Sequence, residues 1–223
     1  MPKLLITGWS RGGLGYVMTF LRRCGYAVSY TVDHQASRAA VSSLIPQMAD
    51  IEVSPYLVPF LDQPGLAEVP VVFVTRDPLR VFNSIYFHGL LHNERPTTLT
   101  HFLSRNLEDF LPNVAGRPGY AACCYLFEWP RLAYHKRADI RWARQEYGPE
   151  HLLEACRLRV PSVLPYCAPT IGESSCQQTY TFETLPAMGQ GLVAHLLNKF
   201  GYLETNWAPV GGHAHYVLPE WRN

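Results

Sequence analysis

The chain has 223 residues, about half of them apolar, with 19 basic and 18 acidic side chains and a formal net charge of +1. That length and apolar content suit one domain, residues 1–223, with a sizeable core. The balanced charge offers no field to attract nucleic acid, and no stretch reaches the roughly 18–20 apolar residues that span a bilayer, so neither nucleic acid nor membrane is expected as a partner.

Three of the basic residues are Lys and sixteen are Arg, whose planar fork of donors suits phosphate and sulfate. Met1-Pro2-Lys3 and the short apolar run Leu4 to Ile6 lack the apolar core and cleavage site of a signal peptide. Cys24, Cys123, Cys124, Cys156, Cys167 and Cys176 show neither C-x-x-C pairing nor zinc-ligand spacing. They read as reduced thiols of a cytoplasmic protein, with a Cys167–Cys176 bridge only if the chain is exported.

Lys3 to Thr7 is a short apolar strand running into a glycine-rich turn, and Leu14 to Arg23 is predicted as a helix stopped by Gly25. Ala27 to Val32 reads as a second strand, so the chain opens as a βαβ unit with a parallel sheet. Ser37 to Met48 is helical and broken by Pro46; Ile51 to Val53 is a short strand. Val69 to Thr75 is a continuous apolar run of the kind a central parallel strand needs. Pro78 takes the first turn of a helix running to about Leu91. Thr98 to Phe110 is helical, Tyr120 to Tyr147 forms one long helix or two punctuated by Pro130, and Arg157 to Val160 is a further strand. Ala168 to Gln178 is irregular, Pro186 to Phe200 is helical, and the tail from Asn206 is loop-like.

Two turns carry chemistry. Thr7-Gly8-Trp9-Ser10-Arg11-Gly12-Gly13-Leu14-Gly15-Tyr16 joins the first strand to the first helix. Its glycines let backbone N–H groups close around an anion, the helix N-terminus adds partial positive charge, and Arg11 adds a full one. The loop lacks the Gly-Lys-Ser/Thr ending of a Walker A motif and the spacing of a dinucleotide fingerprint. Taken alone it is equally a turn that closes a βα unit. The second turn, Arg76-Asp77-Pro78-Leu79-Arg80-Val81-Phe82-Asn83-Ser84, follows the best buried strand, at the edge where open α/β sheets bind ligands. Arg76 sits at the strand tip and Ser84 two helical turns on; Asp77 serves as helix N-cap, in a local ion pair with Arg76, on the purely structural reading.

Together the two turns resemble the sulfotransferase family, whose members carry G-x-x-R/K-S-G-T-x-[WY] after the first strand and R-[DN]-P-x-x-x-x-x-S after a later one. A looser similarity lies in Cys124-Tyr125-Leu126-Phe127-Glu128-Trp129-Pro130-Arg131-Leu132, set against the aromatic helix of bacterial members. The resemblance spans residues 3 to 160 in outline. It implies a three-layer α/β domain of the P-loop-like sulfotransferase kind, with 3′-phosphoadenosine 5′-phosphosulfate (PAPS) as sulfuryl donor and no metal. Ser10, Arg11, Gly12, Gly13, Leu14, Gly15 and Tyr16 would hold the 5′-phosphosulfate, and Arg76 and Ser84 the 3′-phosphate. Arg11 would also act catalytically.

The acceptor, a small molecule or saccharide, needs a base, for which His34 and then Asp33 are the candidates after the second strand. The loop departs from the family in having Gly12 and Leu14 in place of hydroxyl residues, Ser29-Tyr30-Thr31 stands where bacterial relatives carry G-H-E, and the tail has His213 and His215 instead of an Arg-Lys-Gly cluster. A nucleotide-binding relative without catalysis and a divergent P-loop kinase remain the alternatives. His88 and His92 read as a polar helix face rather than a metal pair. Arg131, Lys136, Arg137, Arg141 and Arg144 read as a solvated helix face, or as a contact for an acidic acceptor. Trp129 and Trp142 belong to the core or to an acceptor pocket.

Overall fold

The computed structural model describes residues 1–31, 37–91, 98–106, 117–167 and 180–202. Five strands form one parallel sheet: β1 (Leu4–Gly8), β2 (Val28–Tyr30), β3 (Ile51–Val53), β4 (Val71–Thr75) and β5 (Arg141–Arg144), in the spatial order β2-β3-β1-β4-β5. β1 lies at the centre, with Leu4 opposite Ile51 of β3 and Leu5 opposite Val71 of β4. Every residue of β1, β3 and β4 is buried, as a parallel sheet covered on both faces requires.

Alternation along β1 and β4 sends side chains to two separate cores. Leu5, Val71 and Phe73 face one core, built with α2 (Arg38–Leu44), α3 (Pro78–Phe87), α4 (Thr98–Asn106), α5 (Pro118–Lys136) and α7 (Ala187–Lys199). Leu4, Ile6, Val72 and Val74 face the other, built with α1 (Leu14–Arg23) and α6 (Pro149–Ala155). The three-layer α/β arrangement expected from the sequence is present. β1 and β4 are neighbours, yet α1, which follows β1, and α3, which follows β4, pack on opposite faces. Such a reversal opens a crevice at the carboxyl edge of the sheet, the place where open α/β sheets take ligands.

Two expected elements are corrected. Tyr120 to Tyr147 is not helical throughout: α5 ends at Lys136, and Arg141–Arg144 pairs parallel to β4 as β5. Arg137 turns the chain with both carboxylate oxygens of Asp139 bonded at 2.7 Å. Arg141 and Arg144 therefore lie on a strand, and the basic run is no single face. Arg131 pairs with Glu128, Lys136 with Asp62, and Arg144 is buried with its guanidinium 3.6 Å over the Tyr202 ring. Nor is Arg157 to Val160 a strand. Arg157 takes a left-handed φ of 53° just past α6, and Leu158 N–H returns to Leu153 C=O at 2.8 Å, closing the helix.

The remaining differences are at element ends. Ser37 caps α2 by accepting from Ala40 N–H, and Pro46 converts the last turn to the 3₁₀ segment Ile45–Gln47. α3 stops at Phe87, short of the expected Leu91. Residues 107–110, the 168–178 segment and the tail from 206 lie outside the described residues, as does Cys176; the other five cysteines are free. No helix among the described residues is long and apolar enough to cross a membrane.

Candidate functional site

The loop after β1 is built on glycine for steric reasons. A Cβ on Gly8 would lie 2.6 Å from the Val74 carbonyl oxygen, so only glycine lets β1 and β4 stay paired there. Gly13 has a φ of 89° and lies against the side chain of Gln145, at the end of β5. Gly13 is also the N-cap of α1 and has no side chain to satisfy the first helical amides. The Tyr16 N–H is taken by Gly13 C=O at 3.0 Å, which leaves the Leu14 and Gly15 amides, at the positive end of α1, for a ligand.

α5 braces this loop from beneath. Trp129 Nε1–H donates to Gly8 C=O at 3.2 Å, Tyr125 Oη accepts from Ser10 N–H at 3.0 Å, and Trp9 Nε1–H donates to Leu126 C=O at 2.9 Å. The last bond depends on Pro130. A proline four residues on has no N–H to give to the Leu126 carbonyl, so that acceptor is left for Trp9. Trp9, Tyr125 and Trp129 are fully buried, and burial pushes the Tyr125 hydroxyl well above the usual phenol range, keeping it neutral. Trp129 therefore belongs to the core, and Trp142 packs on Phe73 and Phe200; neither lines the cavity.

Above the loop lies a cavity of about 330 Å³, within the size range of small-molecule sites. Ser10, Arg11, Gly13, Leu14, Gly15, Tyr16, Arg76 and Ser84 line it, together with Trp9, Tyr30 and Pro55. Of the cofactor-binding residues expected from the sequence, only Gly12 is absent from the wall; its N–H is spent on Trp9 C=O at 2.9 Å. The side chain of Leu14 lies mainly in the core. Among the described residues, two guanidiniums enter the wall and no carboxylate does.

Arg11 reaches across the crevice. Its Nε–H donates to Ser84 Oγ at 3.0 Å, and its Nη2 meets His88 Nε2 at 2.8 Å. Two turns 73 residues apart in sequence thus meet side chain to side chain. Arg11 does this with a left-handed φ of 67°, a conformation that costs a non-glycine residue of the order of 1 kcal/mol. Arg76 leans in from the tip of β4, its Nη1 3.4 Å from the Arg11 carbonyl oxygen. Burial, then the neighbouring charge of Arg80, lower the pKa of Arg76, with Glu146 and Asp77 acting against them. Among the described residues no carboxylate forms an ion pair with Arg11 or Arg76. Asp77 is the N-cap, accepting from Leu79 N–H at 2.8 Å, but its ion partner is Arg80 at 4.0 Å rather than Arg76. Burial raises the Asp77 pKa.

Tyr30, at the end of β2, lines the same cavity as Arg11. Burial raises its pKa while the Arg11 charge works the other way. Tyr30 is bracketed by a clamp: the fully buried Glu52 accepts from Ser29 Oγ–H and from Thr31 N–H, the latter at 2.9 Å. Ser29 Oγ in turn accepts from Ala49 N–H at 2.8 Å. Asp33 and His34, the candidate bases, lie outside the described residues, as does His92.

Sequence reasoning did not single out Tyr30, Tyr125, His88 or Gln145 as site residues. The aromatic stretch around Tyr125 and Trp129 was visible; its task of carrying the loop was not.

Gly15 supplies a direct test of where a ligand lies. It faces the cavity in the first turn of α1, and a Cβ there would meet nothing within 4 Å. Gly15→Ala is expected to leave the fold intact or raise its stability by up to about 1 kcal/mol through helix propensity. It should weaken anion binding about tenfold or more by holding the ligand off the helix amides. Thermal unfolding and titration with PAP (adenosine 3′,5′-bisphosphate) read the two effects separately.

Compared with protein-family models, with curated proteins and with solved structures, the chain matches none.

Proposed function

We propose that the cavity holds the phosphates of PAPS and that the protein is a P-loop-like sulfotransferase, passing the sulfuryl group to a hydroxyl or amine of a small-molecule or saccharide acceptor. The observation that carries the reading is the convergence of Arg11, Arg76 and Ser84 on one cavity, with no carboxylate among the described residues of its wall. Arg11 is exposed and Arg76 half-buried, and neither forms an ion pair among the described residues, so they give the cavity a positive wall suited to an anionic ligand, with burial sharpening the need at Arg76. They come from the two turns that resemble the family's phosphate-binding turns, and they stand at the sheet edge where α/β proteins bind nucleotides.

In this reading the open amides of α1 and Arg11 hold the 5′-phosphosulfate, while Arg76 and the Ser84 hydroxyl hold the 3′-phosphate. The acceptor oxygen or nitrogen attacks sulfur, and the bond from sulfur to the bridging oxygen breaks. The leaving electron pair stays on PAP, and the acceptor's proton passes to His34 or Asp33. Charge builds on the leaving phosphate oxygen, where Arg11 and the helix N-terminus would stabilise it without rearrangement. The loop has neither the Lys nor the metal-binding hydroxyl of a Walker A motif, so neutralisation falls to arginine.

Incubation with PAPS and a panel of phenols, saccharides and amines tests the transfer. PAP release that rises with at least one acceptor is expected. PAP binding without acceptor-dependent release would leave a nucleotide-binding protein without catalysis. That second reading draws on Gly12 and Leu14, which bring no hydroxyl to the loop.

A further inference from the structure

We infer that His88 is a positioning residue of the anion site: with Ser84 it grips one edge of Arg11 and so turns the other edge of the guanidinium toward the ligand. The inference rests on the reading of the cavity as an anion site. Ser84 and His88 lie one helical turn apart, the second as the residue that closes α3, and both face the loop after β1.

The hydrogen bonds fix the chemistry of each partner. Arginine only donates, so His88 Nε2, at 2.8 Å from Arg11 Nη2, must accept. The proton then sits on Nδ1, which donates to Ser84 C=O at 2.8 Å. His88 is thus neutral, in a single tautomer defined at both ends. Ser84 Oγ accepts from Arg11 Nε–H at 3.0 Å, which leaves its own O–H to donate elsewhere, and Ser84 lines the cavity.

Ser84 Oγ and His88 Nε2 therefore offer Arg11 two acceptors side by side, as a carboxylate would, but without negative charge. A carboxylate there would cancel the charge the site needs. A neutral pair holds the side chain and leaves its charge for the ligand, together with the donors on Nη1. The arrangement also accounts for the left-handed backbone of Arg11: the loop is held there by a side chain anchored 73 and 77 residues away.

His88 is exposed at the end of α3, so its replacement does not threaten the core. His88→Leu removes the acceptor, and His88→Gln keeps one of similar reach. Two readouts are taken: PAP affinity by calorimetry, and the Arg11 Nε–H signal by nuclear magnetic resonance without ligand. The wild type should show a distinct, slowly exchanging Arg11 signal. His88→Leu should lose it and bind PAP about tenfold more weakly, as loss of a hydrogen bond to a charged group predicts. His88→Gln should restore the signal and bring affinity to within about threefold of the wild type. If His88→Leu leaves both signal and affinity unchanged while the wild type binds PAP, the positioning role is overturned and the anion site stands. If the wild type binds no PAP but the Arg11 signal still collapses in His88→Leu and returns in His88→Gln, the grip stands and the anion reading fails.

Discussion

Replacing Arg76 with alanine is expected to weaken PAP binding about a hundredfold, since truncating one partner of a desolvated charge pair costs about 2–5 kcal/mol. Arg76 is half-buried at the tip of β4, without a carboxylate within ion-pair distance among the described residues, so in the bound state its nearest counter-charge would be the ligand. The assigned phosphate gives the prediction a second arm. If Arg76 grips the 3′-phosphate, the variant should bind PAP about as weakly as it binds 5′-AMP, whereas the wild type should prefer PAP strongly. Fold stability should change little, because the one side-chain hydrogen bond Arg76 makes among the described residues, to the Arg11 carbonyl, is long at 3.4 Å. Equal affinities of wild type and variant for PAP would remove Arg76 from the site.

The largest loss of stability is expected at Trp129. Its ring is fully buried, 5.2 Å from Tyr125 and 6.0 Å from Phe102 between centroids, and its indole N–H holds the Gly8 carbonyl. Trp129→Ala should cost about 3–5 kcal/mol through the cavity it leaves. That is a large part of the roughly 5–15 kcal/mol that separates folded from unfolded domains. Trp129→Phe separates packing from hydrogen bonding. It keeps most of the ring but strands a buried carbonyl, for about 1–3 kcal/mol. It should also loosen the loop and weaken PAP binding, although Trp129 lies outside the cavity wall. Urea unfolding of the two variants checks the order; a Trp129→Phe protein as unstable as Trp129→Ala would show that the hydrogen bond, and not the ring volume, dominates.

The parts of this structure that local chemistry dictates were legible in the sequence. Glycines where backbones touch, a continuous apolar strand, and a proline at a helix start mark β1, β4 and α3 and their loops, and those loops carry the charged side chains of the cavity. β5 was not legible. Arg-Trp-Ala-Arg has the polarity of a helix face, and it is a strand because β4 offers an unpaired edge and Arg137 and Asp139 turn the chain toward it. Pro130 left one helix or two open; α5 runs through it, and the carbonyl it leaves free at Leu126 is put to use by Trp9.

Within the site, residues whose role depends on distant partners stayed hidden. Its spacing in sequence pairs His88 with His92, but its partner in space is Arg11. Tyr30 and Glu52 carry no motif, and only the pairing of β2 with β3 sets Ser29 opposite Glu52 and brings the clamp together.

Calorimetric titration of PAP into the protein in the presence of EDTA, beside ATP with and without Mg²⁺, tests the central claim most directly. Metal-independent PAP binding with a Kd of about micromolar, or some −8 kcal/mol, is the predicted result. No PAP binding at near-millimolar concentration, or ATP binding that requires Mg²⁺, would contradict it.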